Sequence, residues 1–429
     1  MSEPVEIQLA GGPVNSIIQP PGSKSLTNRA LPIAAMAQGR SVLSGVLDSD
    51  DTQAMIESLV KVGISIEHDK KTNQVIVEGQ GGELPKPEAD LFIGNSGTTI
   101  RFLTAMLGLA GGSYRLDGIA RMRERPIGAL VESLNALGAN VVAESPNDCP
   151  PVTIASPRLK GGAVKIKGNI SSQYLSGLMM AAPLATDDVV LEIDGPLISK
   201  PYVEMTAAIM KSFGVDCQVN EAFDRFEIRG AESYVATEYS IEPDASAASY
   251  FWGAAAICGG TATVTGLNRD SLQGDVMFVQ CLEQMGCEVT WGENEIAVTG
   301  PARHGIDIDM SNVSDTVQTL AAVALFVDGT TTVRNVAHNR VKETDRIGNL
   351  AIELRKFGVK VDEFDDGLAI HPAPLNGADI ETYDDHRMAM SLALVGLRQP
   401  GVKIHDPGCV SKTYPNFFED LQKFVSSTK

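Results

Sequence analysis

The sequence predicts an α/β fold of repeated units arranged in two domains, and three observations carry that prediction. A helical pattern that ends at a glycine and runs into an alternating strand occurs five times, at Gly63, Gly138, Gly214, Gly286 and Gly358, with separations of 75, 76, 72 and 72 residues. A second helix, apolar almost all round and therefore expected to be buried on every side, recurs six times. The chain of 429 residues also exceeds what one hydrophobic core serves, which favours two domains of roughly 200 residues each.

The flanks of the five glycines read alike: SLVKVGISIEH, SLNALGANVVA, IMKSFGVDCQV, CLEQMGCEVTW and ELRKFGVKVDE. Each leads through a turn rich in Asp, Asn, Pro or Gly into a second strand, namely QVIVEG, PVTIAS, FEIRG, EIAVTG and LAIHP. The apolar helices are predicted over Ser25–Gln38, Gly97–Ala110, Ser171–Ala185, Asp244–Cys258, Ser314–Val327 and Asp385–Leu397. A short β-rich segment follows each of them: SVLSGV, SYRLDG, VVLEID, TATVTG, TTVRNV and VKIHDP. The unit is thus β-α-β-α-β-β, and at about 72 residues per unit the chain holds six. The sixth stops after a helix at Asn416–Val425, whereas two strands at Val5–Leu9 and Asn15–Gln19 precede the first apolar helix and are expected to complete it. The predicted domains are then residues 1–20 with 241–429, and residues 21–240, with crossings near Pro20–Gly22 and Glu238–Pro243. A single six-unit solenoid competes with this reading, but strongly apolar helices suit closed packing better.

Composition narrows the function. The 35 Lys and Arg against 54 Asp and Glu give a net charge of −19, which argues against nucleic-acid or anionic-membrane partners. An anionic ligand must then be held by local clusters of Lys and Arg. No apolar run approaches the roughly 18 residues of a spanning helix, and Met1–Ala10 lacks a leader pattern, so a soluble, cytoplasmic chain is expected. The six cysteines form no C-x-x-C pair and no metal-ligand spacing with His, so the expectation is reduced thiols, with no metal and no cofactor.

Charged and polar residues gather at the starts of the apolar helices and just after the strands that follow them. Helix starts hold Ser23, Lys24, Ser25 and Arg29; Asn95, Ser96, Gly97, Thr98 and Arg101; Ser171, Ser172 and Gln173; Asp315; and Asp385, His386 and Arg387. Post-strand positions hold Arg121, Arg123 and Arg125; Ser199, Lys200 and Tyr202; Asn339, Arg340, Lys342, Glu343 and Arg346; and Lys412. Helix N-termini present unpaired N–H groups and a positive dipole end, so several together make an anion cradle. Capping accounts for Ser171 or Asp315 singly. It does not account for Lys24, Arg125, Arg346, Arg387 and Lys412 at equivalent places. PPGSKS lacks the upstream glycine of a Walker loop, which argues against ATP. VKETDRIG and YDDHRMAM each combine acid, base and arginine, as proton transfer beside a bound anion requires. His386 taken alone reads equally as a core histidine, and Asp384–Asp385 as helix caps; the surrounding pattern favours function.

PGSKSLTNRAL, GNSGTTIRFL, RMRERPIG, SSQYLSGLMMAAP, ISKPY, NRVKETDRI, YDDHRMAMSLAL and SKTYPNFFEDL occur in order along the chain. In these eight motifs the sequence resembles the enolpyruvyl transferases from end to end, and most of all the members that act on shikimate 3-phosphate. The resemblance implies two domains of three units, each around a pseudo-threefold axis, with the active site in the cleft between them. It also implies transfer of the carboxyvinyl group of phosphoenolpyruvate to the 5-hydroxyl of shikimate 3-phosphate, with release of inorganic phosphate and no metal. The partners are those two small molecules, and a monomer is the default.

By position, the resemblance assigns shikimate 3-phosphate to Lys24, Ser25, Arg29, Ser171, Ser172, Gln173, Ser199, Tyr202, Asp315, Asn339 and Lys342. It assigns phosphoenolpyruvate to Lys24, Gly97, Arg125, Gln173, Arg346, Arg387 and Lys412. Asp315 is the expected base for the 5-hydroxyl, Glu343 with Lys24 the expected acid for the methylene carbon, and His386 an aid to proton handling. Ser96, Thr99, Ile100 and Phe102 depart from the Ala, Ala, Met and Pro of many members; the retained Gly97 favours inhibition by glyphosate, whereas Phe102, by shifting the helix, would work against it, and the sequence does not decide between the two. The enolpyruvyl transferases that act on a UDP-sugar are the nearest alternative; neither Cys149 nor Cys409 matches their reactive loop cysteine. A non-catalytic repeat scaffold would explain the period but not the acid, base and arginine sets.

Overall fold

The computed structural model describes residues 3–426, which divide into two compact units. One unit runs from Gly22 to Ile241; the other joins the residues up to Pro21 with those from Glu242 onward.

The Gly22–Ile241 unit is a threefold repetition. Its central helices are α1 (Lys24–Met36), α2 (Gly97–Ala110) and α3 (Ser172–Ala181). Helix α2 packs against both α1 and α3, and nearly every residue of the three is buried, as all-round apolarity predicts. Three four-stranded sheets enclose them: Glu238–Ser240, Gln38–Ser44, Gln74–Gln80 and Ser65–Asp69; then Glu88–Phe92, Gly112–Asp117, Val152–Ser156 and Val141–Ala143; then Gly162–Lys167, Val189–Asp194, Arg225–Ile228 and Cys217–Val219. In each, the first two strands are parallel and the rest antiparallel.

The second unit repeats the plan around α4 (Ala245–Cys258), α5 (Val317–Ala324) and α6 (His386–Ala393). Here α4 and α6 both pack on α5, joined by hydroxyls: Thr319 Oγ1 lies 3.0 Å from Ser249 Oγ and 3.3 Å from Ser391 Oγ. Two of its sheets have four strands. The third has three, with Lys403–Ile404 between Asp379–Ile380 and Val5–Glu6.

That third sheet corrects one expectation. Only the first N-terminal strand completes the sixth unit; the second, Val14–Ile18, pairs in parallel with Gly260–Thr265 in the fourth unit's sheet. The strand Glu238–Ser240 leads into α4 yet pairs with Gln38–Ser44, the strand after α1. The strands that precede α1 and α4 are therefore exchanged between repeats, and each unit keeps a full set of parallel pairs.

All five repeat glycines have φ between 86° and 100°, a backbone that side-chain-bearing residues resist, which explains why glycine ends each of these helices. Among the described residues no helix is long and apolar enough to cross a membrane.

Candidate active site

In the Gly22–Ile241 unit the three central helices are capped by serines. Ser23, Ser96 and Ser171 accept from the N–H groups of Leu26, Thr99 and Gln173 at 3.4, 3.4 and 3.3 Å. A serine cap satisfies one donor without adding charge, so the positive dipole ends stay uncompensated. Lys24 opens α1, and its Nζ lies 3.8 Å from Asp51 Oδ2.

Arg29, one turn on, is only 2% exposed. Its guanidinium donates to Thr206 Oγ1 (2.8 Å), Ser25 O (2.9 Å), Tyr202 O (3.3 Å) and Ser176 Oγ (3.4 Å), and stacks on the rings of Phe102 and Tyr202 at 5.2 and 5.8 Å. Every one of these partners is neutral. Burial pulls its pKa down to about 10, so at neutral pH it remains a buried cation with no carboxylate beside it among the described residues.

Of the three arginines in the loop after Asp117, only Arg125 turns inward. Arg123 pairs with Asp117 (2.7 Å) and Arg121 with Glu124 (2.8 Å) at the surface, whereas Arg125 is 4% exposed and donates to Asn95 O at 2.9 Å. It crosses the start of α2 so closely that a Cβ on Gly97 would lie 2.3 Å from its Nη2. Gln173 is held between Arg101 Nη1 (2.6 Å) and Thr98 Oγ1 (3.3 Å). Ser172 is buried, and Ser199 takes a left-handed backbone (φ 53°) ahead of the helix Lys200–Ser212, a strain that side-chain-bearing residues retain mainly at functional places. Tyr202 follows in that helix.

In the second unit aspartates stand at the same three places. Asp244 and Asp385 cap α4 and α6, and Asp315 occupies the turn Ser314–Thr316 that leads into α5. Asp315 accepts from Lys342 Nζ (2.7 Å) and Arg346 Nη1 (3.2 Å) on one oxygen and from Arg387 Nη2 (2.9 Å) on the other. Arg346 grips Asp385 with two nitrogens (2.7 and 3.1 Å) and Glu343 with Nη2 at 2.9 Å; Lys412 reaches Glu343 at 3.2 Å. Burial alone would depress Arg346, but Asp385, Glu343 and Asp315 hold its pKa above the ordinary value. The cluster thus links Lys342, Arg346, Arg387 and Lys412 with Asp315, Glu343 and Asp385.

The approach to α6 is strained: Tyr383 and Asp384 both have φ of 55°, and Tyr383 is tied to the buried Glu353 at 2.8 Å. His386 is wholly buried, its Nδ1 3.7 Å from Asp385 Oδ1. Asn339 faces away from open space; its carboxamide is buried and donates to Ser314 O at 2.9 Å, pinning the turn that carries Asp315.

The expected residues therefore group by unit: Lys24, Ser25, Arg29, Gly97, Arg125, Ser171, Ser172, Gln173, Ser199 and Tyr202 in one, and Asp315, Asn339, Lys342, Glu343, Arg346, His386, Arg387 and Lys412 in the other. Sequence reasoning passed over Asp51, Asp275 and Tyr250. Asp275 is buried against Ser246, and burial with the like charge of Asp315 raises its pKa to about 6. Only Asp51, an acid in the first turn of a helix, had a local signature, and that reads as dipole pairing.

Each unit thus brings buried cations to the starts of its central helices, and the second sets acids directly beside them. The statistical model of the EPSP synthase family, 3-phosphoshikimate 1-carboxyvinyltransferase, matches residues 9–421. The 3-phosphoshikimate 1-carboxyvinyltransferase of Nostoc punctiforme is 47% identical over 416 residues, covering 96% of this chain and 97% of the relative. The chloroplastic one of Brassica napus is 48% identical over 430 residues, covering 96% and 83%. An EPSP synthase structure from Acinetobacter baumannii superposes with a TM-score of 0.81 at 26% identity, covering 98% of each chain. The chain belongs to the EPSP synthase family.

Proposed function

We propose that the two groups of residues described above form the substrate sites for the family's reaction. The chain transfers the enolpyruvyl group of phosphoenolpyruvate to the 5-hydroxyl of shikimate 3-phosphate and releases inorganic phosphate. We read it as cytoplasmic, with a monomer as the default.

The contrast in helix caps supports the division of labour. Serine-capped helix ends, with Arg29 buried among neutral partners, suit the anionic groups of shikimate 3-phosphate. Ser171, Ser172, Ser199 and Lys24 take its phosphate, Ser25 and Arg29 its carboxylate, and Gln173, Tyr202, Asn339 and Lys342 complete the pocket, Asn339 by fixing the turn before Asp315. Phosphoenolpyruvate takes Lys24, Arg125 over Gly97, Gln173, Arg346, Arg387 and Lys412.

Chemically, Asp315 accepts the proton of the 5-hydroxyl as its oxygen bonds to C2 of phosphoenolpyruvate, and a proton is delivered to C3. The product of this addition is a tetrahedral ketal phosphate. Loss of a proton from C3 and cleavage of the C2–O bond to phosphate then regenerate the vinyl group. Glu343, which bridges Arg346 and Lys412, and Lys24 give and retrieve the C3 proton, and His386, beside Asp385, aids the proton handling. Arginine and lysine stabilise charge on the adduct and the departing phosphate.

The observation that carries this reading is the clamp on Asp315, whose two oxygens meet three cations. Anionic substrates compete for the same cations, so binding weakens their hold on the carboxylate and makes it a better base. Asp315→Asn is expected to lower kcat by about 10²–10⁴-fold while shikimate 3-phosphate still binds in a calorimetric titration. Retention of full kcat would remove Asp315 from the role of base.

A further inference from the structure

Two of the side-chain contacts of Arg387 are of different kinds. Its Nη2 donates to Asp315 Oδ2 at 2.9 Å, and its Nη1 donates to the hydroxyl of Tyr250 at 3.4 Å. Asp385 meanwhile takes the Arg387 backbone N–H at 2.9 Å, so the start of α6 and the far end of the side chain are fixed separately. Tyr250 comes from the first turns of α4, is 1% exposed, and packs edge-on against Phe417 with centroids 5.4 Å apart. Phe417 also packs against Tyr414 at 5.7 Å, and both follow directly on the turn that carries Lys412. The phenol is thus held by aromatic packing, and no change in its own charge is required for it to hold Arg387.

The other anchor is less constant. A base that takes the 5-hydroxyl proton is neutral for part of each turnover, and its pull on Arg387 falls when charge has moved onto the adduct. Burial pushes the Tyr250 phenol up to about 12, so it stays a neutral acceptor throughout. Arg346 and Lys342 share Asp315, while Asp244, the cap of α4, and Asp275, in the turn Gly274–Met277, also act on this network.

We propose that Tyr250 is a positioning residue whose hydroxyl keeps the Arg387 guanidinium aimed at phosphoenolpyruvate while Asp315 carries a proton. The proposal rests on the assignment of Arg387 to phosphoenolpyruvate and of Asp315 as base. Phenylalanine removes the one oxygen and keeps the ring against Phe417, so the test is steady-state kinetics of Tyr250→Phe beside Arg387→Gln, with thermal melting of both.

The expected result for Tyr250→Phe is a fall of about tenfold in kcat/KM for phosphoenolpyruvate, about 1.4 kcal/mol, with KM for shikimate 3-phosphate and the melting temperature unchanged. An unchanged kcat/KM in Tyr250→Phe, with a loss in Arg387→Gln, would overturn the proposal and leave the site assignment standing. No loss in Arg387→Gln would overturn the assignment itself. Parallel losses toward both substrates with a lower melting temperature would assign Tyr250 to structure alone and also overturn it.

Discussion

Arg121, Arg123 and Arg125 lie within five residues, yet only the last is turned into a buried site. The alternate arginines have the same type and local pattern, and what separates them is the carboxylates supplied by Asp117 and Glu124 at the surface. Such selection depends on tertiary placement, so the local pattern marks the loop as cationic without marking which arginine acts. The same holds for Tyr250, which in sequence is one apolar-helix residue among many. Asp315 and Lys24 were legible because they stand at helix starts, where a charge meets unpaired backbone groups. Gly97 yields a prediction at this scale: in Gly97→Ala the new methyl would sit 2.3 Å from Arg125 Nη2 and displace the guanidinium. KM for phosphoenolpyruvate should rise by about tenfold or more while affinity for shikimate 3-phosphate holds, since about 1 Å of misplacement is costly to a charge contact. Equal KM values in wild type and variant would show that Arg125 moves aside without loss.

Elements were the most legible level, because a period of 72–76 residues and a glycine at each helix end are local signals that recur. The glycines permit a clean test. A Cβ on Gly138 meets nothing within 4 Å, so Gly138→Ala isolates the strain at φ +97° and is expected to destabilise by about 1–2 kcal/mol in denaturant unfolding. Gly63→Ala adds a contact of 2.8 Å with Pro85 and should cost more. If both variants unfold like the wild type, the positive-φ explanation of the repeat glycine fails. The exchanged strands were not legible, for a physical reason. Val14–Ile18 reads VNSII, with no alternation of apolar and polar residues to choose between two sheets, and a two-residue strand such as Val5–Glu6 has no periodicity to read. Partner choice there is set by where the chain crosses, a non-local property.

For the whole molecule, a net charge of −19 means that anions are gathered by buried local cations against the mean field. Burial also sets a pH limit. His338, near Lys342 and Arg346, is pulled down to a pKa of about 3, first by burial and then by those cations. An unfolded chain would protonate it near pH 6.5. Its contribution to stability is therefore present above pH 6.5 and is lost as pH falls toward 3, by up to about 1.4 kcal/mol per pH unit. His338→Gln should move the acid-unfolding midpoint to lower pH, which circular dichroism across a pH series measures; an unmoved midpoint would mean that other groups govern acid lability.

The most direct test of the central claim, that this chain transfers an enolpyruvyl group to shikimate 3-phosphate with Asp315 as base, is inorganic phosphate release from phosphoenolpyruvate. Wild type and Asp315→Asn would each be assayed in EDTA with shikimate 3-phosphate or with UDP-N-acetylglucosamine. The account predicts release by the wild type with shikimate 3-phosphate alone, and its loss in Asp315→Asn. Release only with the UDP-sugar, or undiminished release in the variant, would contradict it.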